Sequence, residues 1–359
     1  MEASSRRAAL NRLGEIPRAS FVFGPTPLLD APNLTRAHGR ERRTTEDGET
    51  PAAASAASGA PVSSTPPILL KMDAWSGPGL GGNKVRKLEY LLSPVALEGV
   101  DTLVTSGSAQ SNHARVTAAL SARLGLRCIL VLSGEPGDPP RGNALLHRLL
   151  GAEVRSVDAP EDRPSAAERA AEEVESEGGV PLVIPVGAST PLGALGYVAA
   201  ALELDRQITV RNLRGRGPLW IVVATSSCGT AAGLSLGFTL LGREDVRILA
   251  VSADLPAPEI HSEVERLARG AGTLLGWEGG LLPELLHPVD SQVGVGYGIP
   301  TEASHEAIHR WATLEGVLLD PTYTAKAAAG LVEALDDGRF DAAGAVVFVH
   351  TGGHPALFA

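Results

Sequence analysis

Only four of the 31 basic residues are lysines: Lys71, Lys84, Lys87 and Lys326. The rest are arginines, so lysine is not serving general solubility here. An amine can form a Schiff base with an aldehyde, and a guanidinium cannot. Two of the four candidate amines lie in Gly81-Gly82-Asn83-Lys84-Val85-Arg86-Lys87-Leu88-Glu89-Tyr90. The paired glycines allow a sharp bend and a close approach to a ligand. Leu88, Tyr90 and Leu91 then begin an apolar helical face, which places Lys84 in the first turn of a helix.

Three further stretches carry chemistry-bearing residues. Thr225-Ser226-Ser227-Cys228-Gly229-Thr230 follows an apolar run and opens a helical pattern. Small residues there let backbone N–H groups converge on a phosphate at a helix N-terminus; the plain alternative is a turn with a Ser or Thr cap. Ser106 to His113 ends another run with Gln110, Ser111, Asn112 and His113 in succession. A helix cap at Ser111 or Asn112 explains one of these four, not all. Tyr297 and Tyr323, two of four tyrosines, sit in Gly- or Pro-flanked turns, where a phenol can move a proton or simply pack.

Other patterns are set aside. Gly77-x-Gly79-x-x-Gly82 with Asp101 downstream formally matches a dinucleotide fingerprint, yet Pro78 stiffens the loop and Lys84 would have no redox role. His350 and His354 have i,i+4 spacing, but Gly352, Gly353 and Pro355 break the helix a zinc pair needs, so no metal is expected. Cys128, in an apolar run, reads as core, and Cys228 as a small turn residue.

The elements that must position these groups come from alternation. From Ile68 to Val349, short apolar runs alternate with helical patterns. That predicts α/β architecture with two open, twisted, mostly parallel sheets flanked by helices. The Gly- and Ser-rich stretches fall at the carboxyl ends of strands, where such sheets bind ligands. Residues 1–30 read as an extended, proline-punctuated arm. Residues 36–66, charged and then rich in Pro, Ala, Ser, Gly and Thr, read as an exposed or disordered insertion. A net charge of −10 argues against nucleic acid as the main partner. The chain begins with no apolar signal region and has no run of membrane-spanning length. A soluble cytoplasmic protein with a small-molecule ligand is expected.

Taken together, these stretches resemble the D-cysteine desulfhydrase and 1-aminocyclopropane-1-carboxylate (ACC) deaminase branch of the pyridoxal-phosphate enzymes, with the tryptophan synthase β-like fold, type II. The likeness rests on Gly81 to Glu89, Gln110-Ser111-Asn112-His113, Gly142-Asn143, Ile184 to Ser189, Gly193 to Tyr197, Leu319 to Lys326 and His350-Thr351-Gly352-Gly353. It implies pyridoxal 5'-phosphate as cofactor and Lys84 as its Schiff-base residue. Ser227, Cys228, Gly229 and Thr230 would bind the phosphate, and Asn112 the ring hydroxyl. Ser111, Tyr297 and Tyr323 would meet the substrate, and Thr324 or Thr351 would face the pyridine nitrogen. A larger cofactor domain (1–86 with 199–359), a smaller domain (87–198) and a homodimer are implied by the same analogy.

The deaminases of this branch usually carry an acid at Thr324, a Leu at Thr351 and a Gln at His113. A carboxylate keeps the ring a stronger electron sink than a hydroxyl does, and β-elimination of a thiolate asks less of the ring. The residues here therefore point to a carbon–sulfur lyase that releases pyruvate, ammonia and sulfide or a thiol. Departures at Met72 to Gly79 leave room for a larger cysteine conjugate or for ACC as substrate. A non-catalytic ligand-binding protein of the same fold is the alternative from another class.

Overall fold

The computed structural model describes residues 2–47 and 65–359. In chain order the elements are α1 (Glu2–Glu15), β1 (Leu28–Asp30), α2 (Pro32–Asp47), β2 (Ile68–Lys71), α3 (Asn83–Leu91), β3 (Thr102–Ser108) and α4 (Asn112–Leu124). Next come β4 (Arg127–Ser133), α5 (Gly142–Leu149), β5 (Glu153–Val157), α6 (Arg163–Ser176), β6 (Pro181–Ile184) and α7 (Pro191–Val210). Then follow β7 (Leu219–Thr225), α8 (Gly229–Leu240), β8 (Val246–Ser252), α9 (Ala257–Leu274), β9 (Leu286–Val289), α10 (Glu302–Glu315), α11 (Thr324–Asp336) and β10 (Ala345–Val349).

These strands form two sheets. The larger has the order β1-β2-β10-β7-β8-β9, and the smaller β5-β4-β3-β6. All pairings are parallel except β1 with β2, so the expected α/β class holds. Strand β7 shows why its sequence is apolar without alternation. Leu219, Ile221 and Val223 point to one core layer; Trp220, Val222 and Ala224 point to another. A parallel strand covered by helices on both faces buries both of its sides.

Helix α8 is buried along its whole length, and glycine allows that. A Cβ on Gly233 would lie 2.2 Å from the Ala194 carbonyl oxygen, and one on Gly237 2.4 Å from the Ala201 Cβ. Helices α7 and α8 therefore pack backbone to backbone. This fixes the α8 N-terminus, which follows the Ser/Cys/Gly turn, against the rest of the core.

Several expectations need correction. The start of the chain is not simply an extended arm: α1 docks Ala9 and Leu13 into the core beside α8, and β1 adds an antiparallel edge. A two-residue apolar stripe in a charged helix is a weak signal, which is why it escapes a pattern reading. The expected insertion at 36–66 is helical to Asp47, because α2 begins at Pro32 and anchors Leu34 in the core; residues 48–64 lie outside the described residues. Strand β9 was not expected. It carries Pro288, and an edge position tolerates the missing N–H. Strands β1, β2 and β7 to β10 share the larger sheet and β3 to β6 the smaller, and residues 86/87 and 198/199 lie inside the continuous helices α3 and α7.

Candidate active site

The parallel strands of both sheets send their carboxyl-end loops to one cavity of about 410 Å³. Lys84 follows β2, Ser111 to His113 follow β3, Gly187 follows β6 and Ser226 to Cys228 follow β7. Asp254 follows β8 and Thr351 follows β10. This convergence was expected from the glycine- and serine-rich strand ends.

The backbone before α3 sets the position of Lys84. Gly82 caps the helix at φ 107°, a region that side chains strongly disfavour. Its N–H meets the Asp73 carbonyl and the Ser76 hydroxyl, each at 3.1 Å. Asn83 N–H donates to the Thr351 carbonyl at 2.9 Å, which ties the lysine turn to the end of β10. Lys84 thus lies in the first helical turn, as predicted.

The four lysines separate cleanly. Lys71 is buried in an ion cluster with Glu203. Lys326 donates to the carbonyls of Val293 and Gly296, at 2.7 and 3.2 Å, and so holds the loop that carries Tyr297. Lys87 donates to the Gly187 carbonyl at 3.2 Å and to Ser189 Oγ at 2.9 Å. Among the described residues Lys84 Nζ has one hydrogen bond, to its neighbour Asn83 Oδ1 at 3.2 Å, and no carboxylate at hydrogen-bond distance. Burial, helped by the Arg115 guanidinium and opposed by Asp320, lowers the Lys84 ammonium to about 8. At pH 7 about a tenth of it is therefore already free amine, far more than for an ordinary lysine.

The turn from β7 to α8 has the features of an anion cup. Cys228 takes a left-handed conformation, φ 59°, and the first N–H groups of a helix lack internal partners. Gly229 N–H is the exception, since it turns back to the Ser227 carbonyl at 2.7 Å. A Cβ at Gly229 would come within 2.9 Å of both Lys87 Nζ and Ser189 Oγ, so the cradle depends on its absence. Ser189 Oγ donates to Ser227 Oγ at 2.7 Å, and Asn83 Nδ2 donates to Thr230 Oγ1 at 3.0 Å. Burial raises the Cys228 thiol to about 11, which does not suit a nucleophile.

Other groups fall into place around the cavity. Ser111 caps α4, with its Oγ accepting from Ala114 N–H at 3.1 Å, and it also lines the cavity. Its structural and functional readings coexist. The Tyr297 and Tyr323 hydroxyls lie 2.5 Å apart on one wall, and burial pushes the Tyr323 phenol well up. The two threonine candidates part. Thr324 is fully buried away from the cavity lining, and its hydroxyl donates to Asp320 Oδ1 at 2.6 Å. Thr351 lines the cavity, and its hydroxyl makes no hydrogen bond among the described residues.

Lys87, Arg163, Asp254 and Asp320 also line the cavity, although the motif reading gave them no role there. Lys87 stood in the lysine motif itself. Asp320 stood in the Leu319 to Lys326 motif, whereas Asp254, after β8, and Arg163, at the start of α6, come singly and carry no local signature. Asp320 accepts from the N–H groups of Thr322, Tyr323 and Thr324 at 2.9 to 3.1 Å. Outside the cavity, Asp101 is occupied by Thr102 Oγ1 and Val180 N–H. Both ring nitrogens of His350 are engaged with backbone groups.

The residues fit pyridoxal phosphate. A lightly bonded amine faces a cavity that has a helix-start anion cup at one end. The buried His113 Nδ1, Thr225 Oγ1 and Asp254 Oδ1, all on lining residues, have no hydrogen-bond partner among the described residues. Buried polar atoms of this kind call for a ligand or ordered water.

The comparisons with known proteins agree. A family described as pyridoxal-phosphate dependent enzyme matches residues 43–352. D-cysteine desulfhydrases of Salmonella typhimurium (strain LT2) and Salmonella newport (strain SL254) are each 38% identical over 355 residues, 98% of this chain and 98% of theirs. The crystal structure of an ACC deaminase homologue superposes with a TM-score of 0.81 at 34% identity, covering 98% of this chain and 96% of that one. Threonine deaminase isoform 2 from Solanum lycopersicum, at 16% identity and TM-score 0.63, covers 98% of this chain and 85% of its own and shares the fold. Among the described residues no helix is long and apolar enough to cross a membrane.

Proposed function

The chain belongs to the pyridoxal-phosphate dependent enzymes, and on that premise we propose that it is a carbon–sulfur lyase acting on D-cysteine. The overall change is D-cysteine plus water to pyruvate, ammonia and hydrogen sulfide. The observation that carries the reading is Lys84. It alone of four lysines presents to the cavity where the strand ends of both sheets meet an amine whose single hydrogen bond among the described residues is to its neighbour, Asn83 Oδ1.

Each residue then has a role. Bound pyridoxal phosphate supplies the electron sink for charge developing at Cα. Lys84 would anchor it, and its amine is the group placed to take the Cα proton. Ser227, Cys228 and Thr230 hold the phosphate, with the Lys87 ammonium or amine beside them. Ser111 orients the substrate. The Tyr297–Tyr323 pair stands on the substrate wall, where a phenol can give a proton to the departing sulfur. Thr351, whose hydroxyl makes no hydrogen bond among the described residues, would serve the pyridine nitrogen in place of Thr324. A hydroxyl there favours β-elimination of a good leaving group over cyclopropane opening. We also take the functional unit to be a homodimer, by analogy alone.

A second reading has its own support. The Arg163 guanidinium lines the cavity, and among the described residues its one hydrogen-bond partner is the Ser133 hydroxyl, at 2.5 and 2.8 Å. It could meet an acidic group on a larger leaving group, as in an S-conjugated cysteine. The deciding experiment is a turnover panel of D-cysteine, L-cysteine, β-chloro-D-alanine, S-conjugated cysteines with and without an acid, and ACC. Pyruvate and sulfide should come fastest from D-cysteine. Preference for an acidic conjugate would favour the second reading, 2-oxobutanoate from ACC would favour a deaminase, and no turnover at all would leave a binding protein.

A further inference from the structure

Asn112 faces the cavity through a side chain whose orientation is fixed from behind. Arg115, fully buried at 0% exposure, donates through Nη1 to Asn112 Oδ1 and to Asn143 Oδ1, both at 2.9 Å. Asn143, also fully buried, donates through Nδ2 to the Gln110 carbonyl at 2.7 Å and to Asn112 Oδ1 at 2.9 Å. A guanidinium only donates and a carbonyl only accepts. Arg115 therefore requires an oxygen on each asparagine, and the Gln110 carbonyl requires the nitrogen of Asn143. Both amides are thereby locked. Asn112 Nδ2 makes no hydrogen bond among the described residues and is left for the cavity, as a donor.

Among the described residues Arg115 has no carboxylate partner at hydrogen-bond distance, and its Nε has no partner. Its Nη2 donates to the Gly81 carbonyl at 2.8 Å, in the glycine turn that leads to Lys84. One buried cation thus joins the lysine turn, the α4 start and the α5 start.

We propose that Arg115 and Asn143 are positioning residues that hold Asn112 as an obligate hydrogen-bond donor, so that the site binds the cofactor with its ring oxygen ionised. The proposal rests on the reading that Asn112 contacts that oxygen. An Nδ2 donor favours the ionised oxygen, and the guanidinium behind it, only partly offset by the more distant Asp320 carboxylate, adds positive potential. Neither residue touches substrate or cofactor in this scheme.

The test is a visible absorbance titration of the holoenzyme without substrate, alongside the dissociation constant of pyridoxal phosphate. Asn143→Asp keeps the shape but puts an acceptor against Asn112 Oδ1, which turns the amide and partly neutralises Arg115. The pH midpoint of the cofactor band should rise by about one unit, and cofactor affinity should fall about tenfold. Asn143→Leu, which leaves Arg115 in place, should shift both less. Arg115→Met should shift both at least as far, and Arg115→Lys should recover part of the loss. A purely structural role would lower the melting temperature in these variants without moving the midpoint. That result in Asn143→Asp, which does not depend on Arg115→Met folding, overturns the proposal. Asn112→Ala is the control: if it alters neither midpoint nor affinity, the underlying contact is wrong, and the proposal falls for that separate reason.

Discussion

On one face of α3, Arg86 enters a buried ion cluster in which every charge is matched. Its guanidinium meets Asp73 Oδ1 and Oδ2 at 2.9 Å and Glu203 Oε1 at 2.9 Å. Lys71 pairs with Glu203, and Thr26 and Tyr197 complete Asp73. Burial alone would raise the Asp73 carboxyl, but Arg86 and Lys71 more than reverse that and hold it below its ordinary range. On the other face, Lys84 and its neighbours leave charge and hydrogen-bonding capacity unmatched. The same helix thus borders a finished polar core and an unfinished one. Fully paired buried charge specifies architecture, whereas unpaired groups gathered at strand ends await a ligand.

Substitutions on the two faces should break this contrast if it is wrong. Lys84→Ala should lower pyruvate formation by more than about 10³-fold while leaving the melting temperature close to that of the parent. Arg86→Met should do the reverse. With Asp73 and Glu203 left without their guanidinium, urea unfolding should show a loss of about 3–5 kcal/mol, and the folded fraction should keep most of its kcat. Equal stability losses from both substitutions would erase the distinction.

The pH dependence of cofactor loading sharpens the cavity side. Only the neutral amine attacks an aldehyde, and burial first, then Arg115, lowers Lys84 to about 8. Loading of the apoenzyme, followed by stopped-flow absorbance, should rise about tenfold per pH unit below that value and level off above it. A rate still rising towards the ordinary lysine range would mean that the amine is not perturbed. The smallest effects concern the threonines. Thr351→Val should reduce kcat several-fold with little change in stability. Thr324→Val should instead cost about 1–3 kcal/mol, because it strips the buried Asp320 of a donor and its N–H of an acceptor.

How much of this could be read from the sequence follows from the range over which each signal acts. The glycine turn, the strand–helix alternation and the cap at Ser111 are local, and the fold and Lys84 were legible from them. Helix α1 was hidden by its charge, and β9 by Pro288. The separate fates of Thr324 and Thr351 were not legible, because they depend on where Asp320 turns. Nor was the clamp on Asn112: Gly142-Asn143 stood out as a motif, but its partner Arg115 lies inside an ordinary helix, and only the tertiary fold makes them neighbours. Asp254 and Arg163 are single residues delivered by distant loops.

The central claim is that one lysine of four carries the cofactor. Borohydride reduction of the holoenzyme, followed by peptide mapping, tests it most directly. A single pyridoxyl label on Lys84 is the expected result. Label on Lys87 or any other lysine, or none at all, would contradict it.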